Sequence, residues 1–143
     1  MNGNQAYNHD LFEAVLLLGK MLGFSRSIAI AFATLYSHDN PLSIEDIAAA
    51  SGLSKSAVSL ALRDLAQMDA VHEVMNPGQR RRHYCGQPDL AKVSMDLVVS
   101  RMKFPLARLR DKLNDSPGTR FDQVRNLLDT LEHTLEAIQI EKP

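Results

Sequence analysis

The sequence predicts a mostly helical fold carrying one small β-ribbon. Three observations point there. Apolar residues recur at helical spacing along most of the 143-residue chain. Within residues 42–71, "LSIEDIAAASGLSKSAVSLALRDLAQMDAV", Ser43, Gly52 and Ser54 supply a helix cap, a helix stop and a second cap. Directly after that stretch, "VHEVM" and "RRRHY" flank Asn76-Pro77-Gly78-Gln79, two short strand signals around a turn signal.

Taken in order, Leu11, Phe12, Val15, Leu16 and Leu18 give one apolar helical face that ends near Gly23. Ser25 can cap a second helix, "RSIAIAFATLYS", which is apolar nearly all round and so belongs in the interior. "HDNP" breaks it. Ser43 followed by Asp46 reads as a capping box, with aspartate in place of glutamate. Ile44, Ile47 and Ala48 form the inner stripe of a short helix, Gly52 fits its left-handed stop, and Leu53 is a small apolar plug. Ser54 then caps a helix whose Val58, Leu62 and Leu65 face inward.

Proline then glycine at the centre of 76–79 suits a type II turn, which splays hairpin strands, so a loose ribbon is expected. A register centred on that turn sets His72 opposite His83. Beyond Pro88 the chain reads helical to about Asn114, with a kink expected at Pro105. "NDSPGT" breaks it again. In the last segment Phe121, Val124, Leu128, Leu131, Leu135 and Ile138 are spaced 3, 4, 3, 4, 3, an a/d seam of fewer than three heptads. The expected organisation is an N-terminal helix (1–24), a central domain (25–88) and C-terminal helices (89–143).

Composition excludes several classes. Formal net charge is -1, so any affinity for nucleic acid must be local. A single cysteine, Cys85, rules out an intramolecular disulfide. No apolar run is long enough to span a bilayer, and the N-terminal stretch lacks the basic start of a signal peptide. A cytoplasmic protein is expected. No nucleophile elbow, phosphate-binding loop or HExxH occurs, so no catalytic residue and no cofactor is assigned.

A short helix, a glycine-containing turn, a second capped helix and then a ribbon make a winged helix-turn-helix. With Val58, Leu62 and Leu65 inward, the second helix offers Lys55, Ser56, Ser59, Leu60 and Arg63 to a major groove. Only two of those are cationic, so phosphate affinity must come from elsewhere. Arg80, Arg81 and Arg82 can supply it at the flanking backbone or minor groove. Neighbours on a strand point to opposite faces, so the three cannot share one job; whichever turns inward is expected to pair with an acid such as Glu73. The alternative is a cationic edge that guards against aggregation, or a winged helix that binds an acidic protein instead of DNA.

"GFSRSIAIAFATLY", "PLSIEDIAAASGLSKSAVSLALRDL" and "GQRRRHY" resemble the glycine-betaine-repressor-like branch of the MarR winged-helix regulators. Gly23, Pro41, Leu42, Ser43, Leu53, Ser54, Lys55, Ser59, Leu62, Arg63, Leu65, Gly78, Arg80 and Tyr84 match that pattern; Ala57 and His83 depart from it. The likeness covers about residues 15 to 90 by motif. It implies a homodimeric transcriptional regulator, a repressor before an activator, held together by its N- and C-terminal helices and often tuned by a small-molecule effector. Two apolar surfaces beyond the winged helix agree with a dimer, through Leu11, Val15, Phe121, Val124, Leu128, Leu131, Leu135 and Ile138. The opposing expectation is that they pack on each other within one chain. A two-fold dimer predicts a pseudo-palindromic operator.

Weaker signals remain. Cys85 at the wing's end is a candidate redox thiol if the arginines lower its pKa. His72, His83 and Cys85 make a poor zinc set, and no metal site is assigned. Residues 101–112, "RMKFPLARLRDK", carry five cations against one acid and read as a solvated helix face that can also approach DNA or a partner's acids. Met21, Phe24, Met102 and Phe104 are candidate lining for an effector pocket.

Overall fold

The computed structural model describes residues 7–75 and 77–140. Its elements run α1 (His9–Met21), α2 (Arg26–Tyr36), β1 (Leu42–Ser43), α3 (Ile44–Ser51), α4 (Lys55–Gln67), β2 (Val71–Val74), β3 (His83–Gly86), α5 (Leu90–Leu113) and α6 (Thr119–Ile140). The chain divides into two compact units, one up to Val93 and one from Ser94 on.

The first unit is built on α2. Its all-round apolar sequence is buried as expected: Ala29, Ala31, Phe32 and Ala33 are fully covered, and α1, α3, α4 and β3 pack on it. Helix α1 meets α2 through Val15 and Gly19, both buried. A Cβ at Gly19 would lie 3.2 Å from that of Ala29, so the glycine lets the two helices close up. Phe24 meets the Phe32 ring edge-on, with centroids 5.3 Å apart.

The helix-turn-helix follows from its caps. Ser43 Oγ accepts from the Asp46 N–H at 3.1 Å, and the Asp46 carboxylate accepts from the Ser43 N–H at 3.1 Å. This is the expected capping box. Gly52 ends α3 at φ +78°, where only glycine is unstrained, and its N–H donates to the Ala48 carbonyl. Ser54 Oγ then accepts from the Ala57 N–H at 3.1 Å and starts α4. Val58, Leu62 and Leu65 are buried as expected, with Ala61 beside them.

The sheet has three antiparallel strands in the order β1-β3-β2. Strand β1 was not legible in sequence. It is two residues long, and Ser43 serves both as a strand residue and as the cap of α3. The ribbon's register also differs from the expected one. Val74 pairs with His83 and His72 with Cys85, so His72 and His83 are not opposite each other. Asn76, in the expected turn, lies outside the described residues. The register is set by contacts distant in sequence: β3 is paired to Leu42 and Ser43 of β1, and Gly86 is held against Tyr36. Because the ladder begins at His83, the three arginines precede the strand instead of forming it.

In the second unit, α5 and α6 share one apolar core. Val99, Leu106 and Leu113 of α5 meet Leu128 and Leu135 of α6, with Val98, Met102, Leu131 and Ile138 against them. The helix runs unbroken through Pro105. Arg110 of α5 reaches Asp129 at 2.6 Å and Glu132 at 2.8 Å on α6. Arg125 donates to the carbonyls of Leu113 and Ser116, closing the connection between the helices, and pairs with Asp122 at 2.6 Å.

Candidate nucleic-acid interface

Burying Val58, Ala61, Leu62 and Leu65 fixes the rotation of α4 about its axis. Lys55, Ser56, Ser59, Leu60 and Arg63 are therefore all exposed, and Leu60 is 53% accessible despite its apolar side chain. The Ser56 hydroxyl sits 3.3 Å from the capping Ser54 hydroxyl, so it is partly engaged by the helix start. The face carries two cations and two small hydroxyl residues, a composition that permits close approach to base edges.

Arg80, Arg81 and Arg82 are likewise exposed, on the loop between β2 and β3. Gly78 turns that loop at φ +84°, and His83 Nδ1 lies 3.0 Å from the Arg81 carbonyl at its far end. The arginines differ in their surroundings. Arg82 is the one that pairs with Glu73, its Nε 3.3 Å from Oε1. Arg81 faces the start of α3. There Glu45, held below the usual carboxylate range first by its own backbone N–H, is held down further by the charges of Arg81 and Lys55. Among the described residues no ion pair engages Arg80.

The two cationic groups meet. Ser59, Arg63 and Ala66 of α4 line one cleft of about 280 Å3 with Glu73, Arg82 and Tyr84 of the ribbon and Ile44 of α3. A smaller cleft joins Arg81 and Arg82 to Ile44 and Glu45. Sequence reasoning missed Glu45 and Tyr84 here. Glu45 carries no motif of its own, and Tyr84 enters only as a position of the wing's motif.

The weaker signals resolve differently. Cys85 Sγ lies 3.3 Å from His72 Nε2, and burial pushes its thiol up, against the lowering that a sensor needs. Among the described residues no group of three or more His, Cys, Asp or Glu is placed to hold a metal ion. In residues 101–112, Arg110 is taken up by the chain's own α6, and the Arg108 guanidinium lies 5.9 Å from the Phe104 ring centroid. Phe24 is core, Met102 packs on the second unit's core, and Met21 and Phe104 are exposed at 84% and 69%.

The dimerisation candidates split by exposure. Val15 is buried against α2, and Leu128 and Leu135 are buried within the second unit, where Leu131 and Ile138 are half-covered. Leu11, Phe121 and Val124 stay exposed, and with them Leu17, outside the apolar face read for α1, and Leu127, outside the heptad seam. The seam is thus largely satisfied by the chain's own α5. No described helix is long and apolar enough to cross a membrane.

Residues 31–74 match the IclR helix-turn-helix domain, a stretch running from α2 to the end of β2. No curated protein matches the chain. Among solved structures it is similar to a crystal structure described as a transcriptional regulator, at 19% identity, covering 91% of each chain with a TM-score of 0.72. It is also similar to the ST1889 protein from the thermoacidophilic archaeon Sulfolobus tokodaii, at 19% identity, covering 68% of this chain and 97% of that one with a TM-score of 0.52. At these identities the likeness is one of fold. The architecture is mostly helical with a small antiparallel sheet: a winged helix-turn-helix followed by a pair of long helices.

Proposed function

We propose that this protein is a sequence-specific regulator of transcription that binds double-stranded DNA as a homodimer. One observation carries the reading. Ser59 and Arg63 of α4 and Arg82 of the wing line a single cleft, so the surface that can read bases is continuous with the surface that can hold phosphates. Helix α4 enters the major groove with Lys55, Ser56, Ser59, Leu60 and Arg63. Arg80, Arg81 and Arg82 hold the flanking backbone or the minor groove. Five of the near-neutral chain's 16 lysines and arginines fall on this face, where counterion release operates whatever the net charge. The motif likeness to the glycine-betaine-repressor-like MarR branch and the match to the IclR helix-turn-helix domain both favour regulation, and the branch favours repression.

The dimer is supported by apolar side chains left outside both units' cores: Leu11, Leu17 and Met21 on α1, and Phe121, Val124 and Leu127 on α6. A two-fold pair sets two copies of α4 about 34 Å apart, matching half-sites one turn of DNA apart. The implied small-molecule effector belongs to the same reading.

The test is the salt dependence of duplex binding. Arg80→Ala should weaken binding to all sequences alike and flatten the log–log salt slope by about 1. Arg63→Ala should change which operator is preferred, with about 1–3 kcal/mol of discrimination lost at the affected position. A wild-type protein that binds no duplex at moderate salt would overturn the reading in favour of an acidic protein partner.

A further inference from the structure

Glu73 has no place in a surface designed only to attract phosphate. It lies in the cleft with Ser59, Arg63 and Arg82, and its carboxylate makes one contact with Arg82 Nε at 3.3 Å. The pair is open to water: the Arg82 side chain is 71% exposed and that of Glu73 36%. An exposed ion pair of this kind adds little to stability, so folding gives it weak justification. Nor does a single contact hold the guanidinium in a fixed plane, as a bidentate pair would.

A carboxylate and a phosphodiester present the same chemistry to a guanidinium: anionic oxygens that accept charge-assisted hydrogen bonds. The cleft therefore already contains an anion where a backbone phosphate would be received. Resting on the DNA-binding reading above, we propose that Glu73 is an internal competitor for phosphate at Arg82, holding down the wing's affinity for DNA of any sequence. Binding exchanges the carboxylate for a phosphate oxygen, and the displaced Glu73 stays as a repelling charge beside the duplex. Because the loss falls on backbone contacts, it is the same for every sequence. It leaves the base contacts of α4 to decide where the protein stays.

Glu45 opposes Arg81 in the neighbouring cleft in the same sense, so two of the three wing cations face an acid of their own chain. This arrangement gives Arg80 the first hold on a duplex.

A double-mutant cycle on the full-length protein tests the proposal. Binding of a fluorescent 20-base-pair duplex of random sequence is followed across salt for wild type, Glu73→Gln, Arg82→Ala and the double variant. Glu73→Gln should tighten binding by about two- to fivefold at low salt, the range an exposed pair supports, and steepen the salt slope. In the Arg82→Ala background the same change should give almost no gain. An equal gain in both backgrounds would mean a general charge effect and overturn the proposal. Weaker binding by Glu73→Gln would also overturn it, making Glu73 a residue that aims Arg82 at the phosphate. Wild type that binds no duplex removes the DNA reading itself, whereas binding with either of those two results removes only the role of Glu73. Superimposable thermal melts of the four proteins exclude misfolding as the cause.

Discussion

The ring of Tyr36 lies against Gly86 so closely that a Cβ at position 86 would fall 2.4 Å from Tyr36 Cε2. The Tyr36 hydroxyl donates to the Gln87 carbonyl at 2.5 Å, and its ring lies 4.8 Å, centroid to centroid, from that of buried Phe32. The central helix thus grips the end of β3, and this grip sets the register of the wing. Gly86→Ala should cost about 1–3 kcal/mol by overpacking, read as a lower urea midpoint. Tyr36→Phe should lose only about 1 kcal/mol, the net worth of one hydrogen bond. Equal effects of the two changes would show that the ring and the glycine are not in close contact.

Tyr36 should also report its burial by titration. Burial first, then the neighbouring Cys85, raises its pKa to about 12 from 10.0. The unfolded chain loses this proton near 10 while the folded one keeps it, so stability should fall as pH rises from 10 through 12. Ultraviolet absorbance should show a late phenolate step near 12 that Tyr36→Phe removes. Retention of that step in the variant would assign it to another residue.

Asp46 works in the opposite sense. Its pKa lies below the usual carboxylate value, chiefly through the Ser43 N–H, with the Ser43 hydroxyl, His83 and Arg81 adding to it. Its stabilisation is therefore full above the unfolded value and lost as pH falls below about 4. Asp46→Ala should cost about 1 kcal/mol near neutrality, as loss of a helix-start hydrogen bond does. The gap to wild type should close as the solution is acidified. A gap that stays constant down to pH 3 would show that the carboxylate's charge takes no part in the cap.

What the sequence reveals about this fold divides by the range of the chemistry involved. Ser25, Ser43, Asp46, Gly52 and Ser54 act on backbone groups three or four residues away, and each does what its local pattern predicts. The inward positions of α4 follow from period alone. The register of the wing does not, because Pro77 and Gly78 suggest a tight turn whereas Tyr36, Leu42 and Ser43 settle where β3 pairs. Strand β1 is too short to leave a pattern. Within the candidate site, the exposure of all seven cationic and polar candidates on α4 and the wing follows from amphipathicity. That Arg82 is the arginine facing Glu73 requires the three-dimensional placement of the loop.

The heptad seam of α6 shows the same limit, since spacing reveals an apolar stripe but not what covers it. Leu128 is 1% exposed and Leu127 58%. Leu128→Ala should therefore leave a cavity in the second unit and cost about 2–5 kcal/mol, with little effect on association of the protein that remains folded. Leu127→Asp and Phe121→Asp place a charge where the proposed dimer needs apolar contact, so sedimentation should find half the wild-type mass with the melting of each unit little changed. Loss of one protomer also halves the recognition surface, so operator affinity should fall by orders of magnitude while the weak binding of random duplex persists. If both aspartate variants sediment as wild type does, these side chains lie outside the interface. The apolar face of α1 at Leu11, Leu17 and Met21 then becomes the surface to change next.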